Sequence, residues 1–252
     1  MKNFLTISKK EYNEIKKNRH FYITLIMIPV IFIFIFLFLL YYFVINFHDL
    51  LYLKNALKIL TNMISFGVLF IPIMIIRHLV AESFVGERER NTIETLLMTP
   101  ISKKELIFGK FFVPFILSQV VWFGFVGVCI LGSYSIQFII LGRIIFIVDS
   151  FSIISIFLIG PILFSVFIRL ILLISFKFKK FMSVNIISSI ISSLFILLIE
   201  FLFYYLIILD VTLLFRDLIL IIMGISLFIL NYFIYIISNR FFNLEQLIIS
   251  NT

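Results

Sequence analysis

"GERERNTIETLLMTPISKKELIFGK", residues 86–110, is the one long polar stretch in the interior of a chain that is otherwise almost unbroken hydrocarbon. Around it 63% of residues are apolar and 34 of 252 are Phe, more than a soluble core of this size can bury. The chain therefore reads as an integral membrane protein, and the quoted stretch as a loop outside the bilayer. No stretch beyond the apolar runs could build a second hydrophobic core, so residues 1–252 read as a single domain.

A membrane-crossing helix takes about 20 mainly apolar residues. Working outward from the loop, six segments meet that requirement: roughly 21–45, 59–80, 111–131, a stretch within 144–175, 182–209 and 218–238. None shows the strand-like alternation with turn signals that a membrane barrel needs. The expected fold class is all-α integral membrane, a bundle of six transmembrane helices. The first segment is too long, and lacks the small-residue cleavage pattern, to be a removable signal, so it is expected to stay as an anchor. The fourth is the least regular: Arg143 and Asp149 place "QFIILGRIIFIVDS" (137–150) partly outside, leaving room for a surface or re-entrant segment beside the span.

Lys and Arg set the orientation, because cytoplasmic flanks carry the excess. Lys2, Lys9, Lys10, Lys16, Lys17 and Arg19 precede the first span; Arg88, Arg90, Lys103, Lys104 and Lys110 lie in loop 81–110; Lys177, Lys179 and Lys180 lie in the next loop on that side. The opposite loops hold only Lys54, Lys58, Arg143 and Arg216. Both termini and the quoted loop are expected in the cytoplasm, with the protein multi-pass in the cell membrane. The net charge of +8 is thus spent on topology, and the basic residues form no soluble face for nucleic acid.

Catalytic chemistry finds little footing. The single Cys129 lies in an apolar run and pairs with no His at metal-ligand spacing. His20, His48 and His78 are scattered, without an H-E-x-x-H arrangement, which disfavours an intramembrane metalloenzyme. No G-x-x-x-x-G-K-[ST] phosphate loop occurs, so the chain is not expected to hydrolyse ATP or to hold a cofactor.

The loop itself carries two helix starts around a proline break. Asn91 and Glu94 have the spacing of a reciprocal cap, with Ile93, Leu96 and Leu97 following at helical intervals until Pro100 stops the run. Ser102 and Glu105 repeat the pattern before the third span. A solvated connector would account for the charges. An exposed amphipathic helix this short is marginal by itself, however, and points to something to pack against.

These residues resemble the cytoplasmic signature of type 2 permease subunits of ATP-binding cassette transporters. Glu87, Arg88, Glu89, Thr92, Glu94, Leu96, Leu97, Thr99, Pro100, Ser102, Glu105, Gly109 and Lys110 fit that pattern, with Asn91 standing where glycine is more usual. The resemblance implies a cytoplasmic amphipathic coupling helix between spans two and three. It would dock on a separate ATPase subunit through Glu87, Arg88, Glu89, Asn91, Thr92, Glu94, Thr95, Leu97, Thr99 and Pro100. That subunit would bind the ATP and Mg. The resemblance further implies a second permease copy or related permease, export rather than import, and an interfacial "elbow" helix before the first span. Residues 1–20 are the candidate elbow, with Phe4, Leu5, Ile7, Tyr12 and Ile15 able to dip among membrane lipid while the lysines face headgroups; a plain basic tail is the alternative.

The resemblance also implies that the second and fifth spans line the path. Read independently, those spans hold the polar and small groups: Asn62, Ser65 and Gly67, then Ser188, Ser189, Ser192, Ser193 and Glu200. Of these, Asn62, Ser65, Ser188, Ser192 and Glu200 are candidate path residues. The paired serines have the small-xxx-small spacing that favours packing over substrate contact. Glu200 either faces the path or sits at the outer interface. Arg77 and Arg169 are expected to snorkel to headgroups, and Trp122 is assigned no function. A channel or an assembly scaffold is the remaining rival, and the cargo is left open.

Overall fold

The computed structural model describes residues 2–17, 19–46, 52–57, 69–90, 102–145, 150–178, 180–208 and 213–241. Every regular element among them is helical. In chain order these are α1 (Lys2–Lys17), α2 (Arg19–Asn46), a short helix over 52–57, α3 (Phe70–Ala81), a π-helical turn (Glu82–Gly86) and α4 (Glu87–Glu89). Then come α5 (Lys103–Leu141), α6 (Ser150–Ile154), a second π-helical turn (Ser155–Ile159), α7 (Gly160–Lys177), α8 (Phe181–Ile208) and α9 (Leu213–Phe241).

Five described stretches are long and apolar enough to cross a membrane: Met27–Asn46, Glu105–Leu141, Ser150–Lys177, Phe181–Ile199 and Phe215–Ser238. Each corresponds to a segment expected from sequence. The N-terminal part of the sixth, the second in chain order, falls in 58–68, outside the described residues, as do its Asn62 and Ser65.

Expected and observed boundaries differ at three places. The third span is much longer than 111–131: α5 runs for 39 residues, about 58 Å at helical rise, against a hydrocarbon core of about 30 Å. Its start is the capping box read from sequence, with Ser102 Oγ accepting from Glu105 N at 3.3 Å and Glu105 Oε2 accepting from Ser102 N at 3.2 Å. Its end is Gly142, whose φ of 66° is open to glycine at no steric penalty. The fourth span is one helical path from Ser150 to Lys177, so the described part has no re-entrant segment. Finally, the loop expected from Ala81 does not begin there. The helix continues through the π-helical turn to Glu89, and Ser83 through Arg88 are buried.

α3 and α7 form the middle of the bundle. α3 touches α2, α5, α7 and α8, while α7 also carries α9 along its length. Ile71, Ile76, Val80, Phe164, Val166 and Ile168 have at most 1% of their surface exposed. By contrast α2, α8 and α9 keep one face apolar and outward, as with Phe34, Leu198 and Phe228, which suits contact with lipid. α1 lies across the start of α5.

Candidate functional site

Where α3 runs on through its π-helical turn into the polar stretch, four consecutive charged residues each grip a different part of the molecule. Glu87, only 5% exposed, bonds Lys10 Nζ of α1 at 2.6 Å through one carboxylate oxygen and Lys110 Nζ of α5 at 2.7 Å through the other. Lys110 is enclosed at 1% exposure, and its ammonium also donates to Glu11 Oε1 at 2.8 Å, to Ser83 Oγ at 3.1 Å and to the Ser83 carbonyl. It stands 4.8 Å from the centroid of the Phe84 ring. Two carboxylates and the Lys110 ammonium are thus buried together, with the half-exposed Lys10 balancing the second carboxylate from the rim, and the buried ammonium has all three protons met. Burial alone would raise the Glu87 carboxyl, but Lys110 and then Lys10 outweigh it and hold it below its ordinary value.

The residue before Lys110 explains how α1 gets close enough. A Cβ on Gly109 would stand 2.8 Å from Ile7 Cγ2 and 3.0 Å from Ile7 Cβ, so only glycine admits the helix at this crossing. Gly109 provides the approach and Lys110 the tie.

Arg88, also buried, directs Nη1 to the carbonyls of Ser175, Phe176 and Phe178 at 3.5, 3.4 and 3.5 Å. These are long bonds, but they meet acceptors at the C-terminal end of α7, where a helix leaves carbonyls without internal partners and favours a cation. Glu89 does the opposite at the next helix: its Oε1 accepts from Phe181 N, the first residue of α8, at 2.8 Å. A carboxylate there satisfies an orphan donor and meets the positive end of the helix dipole. Arg90 returns to Glu82 at 3.5 Å, and Glu82 lies 3.6 Å from His78.

Glu87, Arg88 and Glu89 are therefore brought together at one junction, with Glu87 and Arg88 turned inward onto this chain's own groups. Among the three, the exposed side chain is that of Glu89. Asn91, Thr92, Glu94, Thr95, Leu97, Thr99 and Pro100 lie in 91–100, outside the described residues, as does the cap expected between Asn91 and Glu94. Ser188 and Ser192 sit on the face of α8 that packs against α3 and α7, at 2% and 4% exposure, each hydroxyl donating to the carbonyl three residues back. The Glu200 backbone is in α8; its side chain is outside the described residues.

Several working groups carried no visible signal in sequence. Glu11 and Ser83 lie 99 and 27 positions from Lys110, and only the fold brings them into contact. Trp122, given no role from sequence, is fully buried and donates to the Ile156 carbonyl at 3.2 Å. That carbonyl lies in the second π-helical turn, and a Cβ on neighbouring Gly160 would come within 2.9 Å of the indole nitrogen. Arg169, expected to reach headgroups, has its guanidinium between helices: it donates to the Asn231 carbonyl at 3.0 Å and lies over the Phe111 and Tyr235 rings. Among the described residues no group of His, Cys, Asp or Glu could hold a metal ion.

The family model for the ABC-2 family transporter protein matches residues 12–194, from within α1 to within α8. No curated protein matches the chain.

Proposed function

We propose that this chain, which belongs to the ABC-2 family of transporter proteins, is driven by a separate ATPase subunit docking on residues 91–100, and moves its cargo outward as one of a pair of permeases. Membership makes the chain the membrane-spanning component of such a system and not the ATPase itself. ATP and Mg are bound by the partner. The basic flanks support a cytoplasmic position for both termini and the docking loop.

The observation that carries this reading is the junction at Glu87, Arg88 and Glu89. Residues 91–100 follow in sequence on a point bonded to α1, α5, the end of α7 and the start of α8. A displacement of residues 91–100 by a closing ATPase would be passed to four elements at once, through contacts that have partners on both sides. A free connector has no use for that. Alternating access needs such a shared movement between two arrangements of the spans. Asn62, Ser65 and Glu200 are the polar groups assigned to the path, while Ser188 and Ser192 serve helix packing.

The test is Thr95→Cys in the full-length protein, crosslinked in its native membrane and followed by identification of the captured partner. Stoichiometric capture of an ATPase supports the reading. A protein recovered intact with no ATPase attached, under conditions that preserve other complexes, leaves the loop a connector and moves the channel or scaffold reading ahead.

A further inference from the structure

Arg169 lies eight residues before the end of α7, about 12 Å along the helix axis. It has no carboxylate partner among the described residues. Its only hydrogen bond to them runs from Nη1 to the Asn231 carbonyl, at 3.0 Å, which leaves the Nε and Nη2 edge of a permanently charged fork without a bonded acceptor. The Phe111 ring lies 5.3 Å away on one side and the Tyr235 ring 5.0 Å on the other. Phe111 immediately follows Lys110, so the guanidinium sits one residue along α5 from the charged junction.

On the α9 side the rings beside the guanidinium reach the surface, and they are amphipathic. Tyr235 is 37% exposed and Tyr232, one turn earlier on α9, 61%. Along α5 the stacked rings of Phe111 and Phe115, 5.5 Å apart, continue the wall toward the middle of the bundle. A planar cation at the mouth with an aromatic wall running inward matches a phosphodiester joined to hydrocarbon. A free anion would use only the first of these features. An unpaired arginine in a span is retained only where an anion, water or backbone acceptor meets it, and the one backbone acceptor here occupies a single nitrogen.

We propose that Arg169 binds the phosphodiester of an anionic phospholipid from the leaflet on the Lys110 side, in the cleft between α5 and α9, with an acyl chain against Phe111 and Phe115. The site spans three helices, so its occupant fastens α5 and α9 to α7. This inference does not depend on the ATPase coupling proposed above, and its test involves no ATPase.

Delipidated full-length protein in detergent is offered equimolar phosphatidylglycerol and phosphatidylcholine, and retained lipid is counted by native mass spectrometry. The wild type is expected to prefer phosphatidylglycerol about fivefold: both lipids offer the phosphodiester, but phosphatidylcholine also sets a quaternary ammonium near the guanidinium, a like-charge contact. Arg169→Lys should keep part of that preference and Arg169→Met should abolish it. An unchanged preference in Arg169→Met overturns the proposal. The wild type alone provides a second test through a phosphatidylglycerol carrying a photoreactive headgroup: adducts are expected within residues 108–115 and 231–235, whereas adducts confined to the lysines of α1 overturn it. Displacement of the lipid by millimolar inorganic phosphate would show a free-anion site and overturn the assignment to lipid.

Discussion

Lys110→Met is the most informative single change, because it removes the one ammonium that two carboxylates share while keeping a side chain of similar length. In the variant Glu11 and Glu87 stay buried, at 4% and 5% exposure, with the Lys10 ammonium still bonded to Glu87. Removing one partner from a buried ion pair costs about 3–5 kcal/mol, most of it the uncompensated charge left behind. Lys10, with 40% of its side chain exposed, stays on Glu87 and softens that loss, so the lower end applies, about 3 kcal/mol. For a chain of this length that corresponds to a fall in melting temperature of roughly 10 °C. Glu11→Gln alone leaves Lys110 with Glu87 and Ser83 and should be milder. The two changes together remove the buried charge along with its opposite, so the double variant should be more stable than Lys110→Met. The assay is thermal unfolding of the four proteins in one detergent, arranged as a double-mutant cycle. Additive effects, or a Lys110→Met protein melting with the wild type, would refute the reasoning that these groups act as one buried unit.

Gly109→Val should destabilise by about 1–3 kcal/mol through overpacking against Ile7, and Ile7→Ala in the same chain should recover part of it in thermal unfolding. Glu89→Ala should cost at most about 1 kcal/mol in total, the value of a lost helix cap, and appear as faster amide exchange confined to the start of α8 near Phe181. Because the Glu87 carboxyl is held below its ordinary value of 4.5, its contribution is complete above that pH and is lost as pH falls through the lowered value. Stability measured from pH 7 downward should therefore hold until below 4.5, with Glu87→Gln showing a shallower acid limb.

Much of the architecture was legible because it rests on local chemistry. A lipid environment demands long apolar helices, so composition and run length alone place five described spans where they are found. The start of α5 was readable for the same reason: Ser102 and Glu105 are three residues apart and cap each other without help from elsewhere. The limits of locality show at Ala81. A charged sequence from Glu82 to Arg90 looks like a solvated loop, since nothing within it reveals that Lys10, Lys110, the end of α7 and the start of α8 wait to receive its charges. Arg169 shows the same limit, because its neighbours Phe111, Tyr235 and Asn231 come from two other helices and no local pattern announces them.

By itself the sequence determined that this protein is a membrane-embedded helical bundle with one interrupting polar segment, and the Glu87 to Lys110 signature resembled the family to which the chain belongs. Only the tertiary structure decided what those charges do. The helix periods and apolar runs that specify a span act between residues a few positions apart. The pairing of Glu11 with Lys110 joins residues 99 positions apart, and whether that lysine is a surface charge or an enclosed tie depends on how closely α1 can approach Gly109.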